Sequence, residues 1–434
     1  MDQLVATRRH RQRGAAALLV VVVLFFILAM VTAYAGRSLI FEQRTSVNNQ
    51  RAAQAFEAAE AGLDTAIALL SSGRVDASCF PTPDVGQSTF RRRYLAQDDS
   101  GNFSTAGALV NLRPTCILLE DGGRCSCPDA GAPALIVPVG GLVPTFQLRF
   151  DTVGIAQPGV VRATSKGCSS IGSECYQPWP TGADAVAEVS VLLGLNSALA
   201  TPPAAALTVR GTLDVNGTAL TVVNTDVPTR GVAIDAGGPI QNGANLRLSS
   251  VPGTPASASV LASDPSLQAP AMPNGDRMFV SVFGMDRDTY RSQPAAVQVT
   301  CAGSCGAAIN AAISRNPGRV IWVQGPATIE STMVWGTADQ PVMLVVQGDL
   351  TVSSGLQLFG VLYLRNGVGD DSSWTTNAGS TLIQGAVVAE GNLSMAGATS
   401  PTIVFNPGVL STINLKQGSL VRIPGSWRDF EAGT

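Results

Sequence analysis

Four carboxylates late in this 434-residue chain, Asp349, Asp370, Asp371 and Glu390, are the residues whose type could do hydrolytic chemistry. Two of them facing each other across a glycosidic bond would supply an acid and a nucleophile or base. Each stands beside Gly or Ser, where acidic side chains more often close turns, and Asp370-Asp371 lacks the alternating oxygen ligands of a calcium loop. Trp322, Trp335, Trp374 and Trp427 could stack on sugars, although core packing explains scattered tryptophans equally well. The single histidine, His10, lies among Arg8, Arg9, Arg11 and Arg13, so loss of that leader would remove every imidazole and with it Ser/His, Cys/His and His-ligated metal chemistry. No cofactor is implied. A Cys-x-Cys metal site at Cys125 and Cys127 competes poorly with disulfide formation when no histidine is at hand.

Positioning begins with the N-terminal apolar span. Residues 15–36 carry no charge and would extend roughly 33 Å as a helix, enough to cross the hydrocarbon core. Twelve strong inserters in that span favour the bilayer by roughly 4 to 7 kcal/mol. The arginines precede it, so the leader stays cytoplasmic and the rest is exported. A cleaved secretory signal is the competing reading, because Ala33-Tyr34-Ala35 fits a small-x-small site. The apolar run is longer than a signal core, and helix-compatible sequence continues to Leu70. In that continuation Phe56, Ala59, Leu63, Ala66 and Leu70 form one apolar stripe at helical spacing. Residues 15–70 would make a rod of roughly 84 Å, with Ser71-Ser72-Gly73 as its stop and a bend expected near Gly36.

The segments Arg11-Gln12-Arg13-Gly14, Ala15-Ala16-Ala17-Leu18-Leu19-Val20 and Gln54-Ala55-Phe56-Glu57-Ala58-Ala59-Glu60-Ala61-Gly62-Leu63 resemble the N-terminal region of PilX-like minor pilins of type IV pili. The resemblance implies cleavage by a prepilin peptidase after Gly14, which leaves Ala15 as the new terminus. It also implies a role in pilus assembly, in contact with major and minor pilins and the inner-membrane assembly platform. Major pilins carry glutamate at the fifth mature position, where this chain has Leu19. An apolar residue there avoids taking a carboxylate into lipid but forfeits the charge pair with a subunit ahead, which suits a place at or near the filament tip. The implied localisation is the bacterial inner membrane, single-pass, and then the pilus or cell surface.

Beyond the helix, the composition (45 Gly and 26 Pro, with short Val/Thr/Leu-rich runs) indicates strands, so the fold class is α+β. The expected organisation is a leader (1–14), a pilin-like helix (15–73; transmembrane 15–36, amphipathic 37–70), a small antiparallel unit (74–195), a linker (196–206) and a β-rich domain (207–434). Thr145 to Phe150, Val160 to Thr164 and Ala185 to Leu193 read as a meander. The phrase Gly-x-apolar-x-apolar begins at Gly211, Gly325, Gly348 and Gly391, and suits a parallel β-helix, with a β-sandwich as the alternative. Val251 to Asp276 reads as an exposed excursion, and Ile423 to Phe430 as a cap on the last coil. Eight cysteines follow the apolar span, and export makes disulfides the default. The local pairs are Cys168 with Cys175 and Cys301 with Cys305; Cys79, Cys116, Cys125 and Cys127 cannot be paired from sequence. Net charge is −3, and −6 without residues 1–14, which disfavours nucleic acid. Arg91-Arg92-Arg93 reads as a solvated loop. A surface or polysaccharide ligand for the exported part stays open, as does the alternative of an envelope β-solenoid that acts on polysaccharide.

Overall fold

The computed structural model describes residues 13–105, 113–120, 122–129, 143–153, 157–170, 185–267, 276–366 and 371–429. The leader to residue 12, Cys175 and Asp370 lie outside these. One helix, Arg13–Leu70, runs without interruption through Gly36 and Gly62, a length of roughly 87 Å. Its residues are exposed from Ala16 to Gln50 apart from the half-buried Gly36. Burial starts at Ala55 and continues on one face through Ala58, Ala59, Leu63, Ala66 and Leu70.

That face lies across a six-stranded antiparallel sheet. The sheet order is Gly418–Arg422, Val186–Ser197, Val160–Cys168, Thr145–Asp151, Thr115–Leu119, Gly122–Ser126. Phe146, Leu148, Val161, Ala163, Val189 and Val191 face the helix and share one core with it. Small residues set the distance. A side chain at Gly62 would overlap Ser165 and Phe146, and one at Gly167 would overlap the backbone of Ala55 and Ala59. Gly62 weakens an isolated helix, yet here it allows helix and sheet to approach closely.

Between strands Val186–Ser197 and Gly418–Arg422 the chain builds a parallel β-solenoid with three faces. The first face contains Val320–Gln324, Val342–Gln347 and the later halves of Leu356–Arg365 and Thr381–Ala389; Leu207–Val209, Ile234–Ala236 and Val260–Ala262 follow in the stack. The second face is a seven-stranded parallel sheet that holds all four strands of the Gly-x-apolar-x-apolar phrase: Leu213–Val215, Ala327–Ile329, Leu350–Val352 and Leu393–Gly397. In each, the glycine stands at the corner before the strand, and the apolar residues point inward. Gly325 and Gly348 take φ of +94° and +138° there, a region that favours glycine. Ala327, Leu350, Trp374, Met395 and Val215 form one stacked interior row.

The stack does not follow the chain. Strand Leu393–Gly397 pairs with Leu213–Val215, and Thr381–Ala389 with Leu207–Val209. The first coils in sequence thus sit beyond the last ones, which accounts for the uneven spacing of the repeats. The stretch from Val251 to Asp276, expected as an excursion, contributes strand Val260–Ala262 and the buried Ser259. In the expected linker, Ala198, Leu199, Ala205 and Ala206 are buried. Helices Asp276–Phe283 and Arg287–Ser292 cover the first face. Phe279 and Phe283 pack on Tyr363 with ring centroids 5.7 and 4.9 Å apart, and Phe279 lies 6.0 Å from Trp322. Covered on both sides, these strands read as continuous apolar runs.

The earlier halves of Leu356–Arg365 and Thr381–Ala389 lie on the third face with Met333–Trp335 and Thr402–Phe405, and the corner to the first face is made by Gly360 and Gly385, paired in register. Gly385 has φ +146°, and a Cβ there would overlap the Gly360 carbonyl oxygen. The expected outcome for Gly385→Ala is a loss of roughly 2–4 kcal/mol of solenoid stability, read by chemical denaturation. Gly408→Ala, where the nearest contact is at 3.4 Å, should cost far less.

Candidate functional site

The exposed half of the long helix is the part of the molecule that its own fold does not complete. Leu18 to Tyr34 display large apolar side chains with exposures from 48% at Val23 to 78% at Tyr34, and Leu19 is 65% exposed. The apolar surface continues past Gly36 through Leu39, Ile40 and Phe41. Thr32 donates its hydroxyl to the Leu28 carbonyl oxygen, so that hydroxyl is satisfied within the helix. The helix is long and apolar enough to cross a membrane. A contiguous apolar surface of this size requires lipid or another chain to cover it. Gly14 and Ala15 lie in its first turn.

Its other half is clamped at several points. Ala59, Leu63, Ala66 and Leu70 are buried, whereas Phe56 is 39% exposed and meets Trp427 edge-on at 6.4 Å. Trp427 donates its indole N–H to Glu60 Oε1 at 2.6 Å, and Arg422 pairs with Asp64 at 2.5 Å. Ser190 and Arg428 bridge backbone to backbone. The C-terminal segment expected to cap the last coil therefore closes on the helix and the antiparallel sheet instead. A sequence signal for this was present in two aromatics and alternating apolar residues after the last coil, but nothing local identified their partner.

The arginine run is also placed differently from expectation. It forms helix Phe90–Tyr94. Arg93 is buried and donates to the carbonyl oxygens of Val75 (2.8 Å), Asp76 (3.1 Å) and Cys127 (2.6 Å). Arg91 donates to Leu70 O at 3.1 Å and Gly418 O at 2.7 Å, so it caps the C-terminus of the long helix, where carbonyl groups lack intrahelical donors and the dipole is negative. Disulfides join Cys79 to Cys127, Cys116 to Cys125 and Cys301 to Cys305. Cys168 is disulfide-bonded.

Of the carboxylates that could have formed a hydrolytic pair, Glu390 is buried and committed. Arg287 and Arg365 pair with it, the latter at 3.4 Å, and Tyr363 donates its hydroxyl at 2.9 Å. Asp349 accepts from Ser373 N at 2.9 Å and Asp371 from Asn392 Nδ2 at 2.7 Å, both holding adjacent coils together. Trp322, Trp335 and Trp374 are fully buried, so of the four tryptophans weighed for sugar stacking only Trp427 reaches the surface. Among the described residues no His, Cys, Asp and Glu cluster could hold a metal ion.

An apolar helix, bare over its first half and locked to a small antiparallel sheet over its second, is a pilin-like arrangement. Residues 13–64 match the PilX N-terminal family model, and the chain carries a PilX-like pilin helix. A solved structure similar to it is the competence-associated pilin ComZ from Thermus thermophilus, with 11% identity, 87% of this chain and 97% of that chain covered, and a TM-score of 0.21. Another is the DUF3494 domain of ice-binding protein 1 from Shewanella frigidimarina, with 12% identity, 47% and 97% covered, and a TM-score of 0.23. Both scores are too low for either likeness to bear on fold or ligand. A search of curated proteins gives no match.

One titrating group stands out in the solenoid. Burial, with Asp264 alongside, pushes the Asp235 carboxyl up to about 6. A carboxyl raised in the folded state favours folding below its unfolded value of about 3.9 and loses that contribution as pH rises through about 6. Asp235 should therefore contribute a fall in the melting temperature of the full chain in detergent between pH 4 and 7, and the Asp235→Asn variant should show a less negative slope over the same window. An unchanged slope in the variant would remove Asp235 as its cause.

Proposed function

We propose that this chain is a minor pilin of a type IV pilus or related filament, held in the bacterial inner membrane by its N-terminal helix before it is drawn into the filament. The observation that carries this reading is the division of one continuous helix into a bare apolar half and a half clamped to its own sheet, within a segment that matches the PilX N-terminal model. A clamped half fixes the globular part, and the free half can exchange lipid for the helices of neighbouring subunits. The basic leader orients the span with residues after Arg37 in the periplasm. Prepilin peptidase acts after Gly14 and exposes Ala15. The assembly platform and other major and minor pilins are the partners.

Leu19 supports a position at or near the tip. A neutral fifth residue offers no charge to an amine ahead of it, which costs nothing where no subunit is ahead. The β-solenoid then supplies the surface presented there for subunit contact or adhesion, and the work is binding rather than turnover. ComZ, the pilin named above, is described as competence-associated; the proposal for this chain is restricted to filament assembly.

The test is the intact mass of the protein from its native membrane. A terminus at Ala15 is expected. A terminus near Gly36 would identify a secreted protein, and one at Met1 a plain anchor, and either would overturn the proposal. Gly14→Val should retain the leader and abolish incorporation into filaments. Immunogold label spaced along the shaft would refute the tip placement alone.

A further inference from the structure

A cavity of about 540 Å³ lies where the end of the long helix, helix Phe90–Tyr94 and the solenoid meet. This is within the usual range for small-ligand sites, roughly 300–1,000 Å³. Arg91, Arg92, Arg319 and Lys416 line it, against one carboxylate, Asp339. Lys416 is paired outward with Asp99 at 2.8 Å. The arginines have no such partner. Arg91 is bonded to carbonyl oxygens of Leu70 and Gly418, and Arg319 to Asn316 Oδ1 at 3.0 Å and the Pro294 carbonyl oxygen, all neutral acceptors. Among the described residues, neither they nor Arg92 nor Asp339 enters an ion pair.

Arg91 and Arg319 are half-buried, and charge drawn out of water is normally paired, because its desolvation otherwise goes uncompensated. Here two guanidinium groups approach the same space, and burial together with the charge of Arg319 lowers the Arg91 pKa to about 10. Arg319 is lowered as well, by burial. In the cavity wall, Ser71 Oγ and Arg319 Nε are buried with no hydrogen-bond partner. Arg92, which also lines the cavity, is exposed. Planar guanidinium forks match phosphate and carboxylate oxygens in two-point geometry.

We propose that this cavity is a binding site for a small anion, a phosphate or carboxylate group, held by Arg91, Arg92 and Arg319. The occupant would bridge the clamped end of the helix and the solenoid, and so stiffen their junction. Phosphate could arrive as the free ion or as a sugar phosphate, and carboxylate as a sugar acid; the shared chemistry is the oxyanion.

The experiment uses the full chain in detergent, with calorimetric titration and thermal melting at constant ionic strength. Inorganic phosphate, glucose 6-phosphate and glucuronate are the probes, with glucose and sodium chloride as controls. At least one anion should bind saturably near one per chain and raise the melting temperature, and glucose should do neither. Binding by phosphate and glucose 6-phosphate alone would define a phosphate site, and binding by glucuronate alone a carboxylate site. Arg92→Gln and Arg319→Gln should each weaken binding about tenfold, the loss of a charge-assisted contact. Far-UV circular dichroism checks the fold; should Arg319→Gln misfold, Arg92→Gln decides alone. No saturable binding by any anion, or unchanged affinity in the folded variants, overturns the proposal.

Discussion

The close seating of the second half of the long helix on the antiparallel sheet is the contact on which the rest of the molecule depends. It requires two glycines: Gly62 on the helix leaves room for Phe146 and Ser165, and Gly167 on the sheet lets the backbone at Ala55 and Ala59 come down onto the strand. With small residues at the crossing, the apolar stripe from Ala59 to Leu70 is fully removed from water, each large side chain contributing on the order of 1.5–3 kcal/mol. The helix before Ala55 receives nothing comparable. Its stability must come from lipid or from other chains, and that asymmetry is what makes a single helix both anchor and attachment point.

Much of this was legible in the sequence. Charge-free length announced the apolar span, and the 3.6-residue period announced the stripe. The three meander strands stood out because Gly and Pro punctuate them. The recurring glycine phrase marked corners followed by inward pairs, and all four copies lie on one face. Strand Ser372–Thr376, which carries Trp374, was missed because its sequence lacks that phrase. Other features had no local signal. The pairing of Leu393 with Leu213 joins coils far apart in the chain, and no periodicity reports which coil lies beside which. Arg93 reads as solvent-facing by type and neighbours, yet it satisfies three backbone carbonyl groups in a place where loops converge. The cysteine partners Cys79 and Cys127 are 48 residues apart, so their pairing depends on the loops that helix and sheet bring together.

The carboxylates illustrate how context reverses a reading by type. Glu390 looked like a turn residue or half of a catalytic pair. It is instead a buried anion between Arg287 and Arg365, with Tyr363 donating to it and the Arg365 guanidinium 5.6 Å over the Trp322 ring. Such a cluster ties the covering helix Arg287–Ser292 to two solenoid coils. Removing one member would strand charge in the interior, a larger penalty than any single contact in it supplies.

The connection between sheet and solenoid follows from where the chain enters and leaves. It departs after Ser197 and returns at Gly418, and these two residues are directly paired, with the returning strand forming the sheet edge. The Ser197 hydroxyl donates to Asn414 O at 2.6 Å, on the helix Pro407–Lys416 that leads back, and accepts from Leu199 N at 3.1 Å. A body attached by one strand can swivel about that strand. One attached through two adjacent, hydrogen-bonded strands has lost that freedom, and Arg91 ties the returning strand to the end of the long helix as well. Force applied along the helix is therefore passed to the solenoid through paired strands loaded together rather than through a flexible linker. This is the mechanical requirement for a subunit whose anchor and exposed surface must move as one piece.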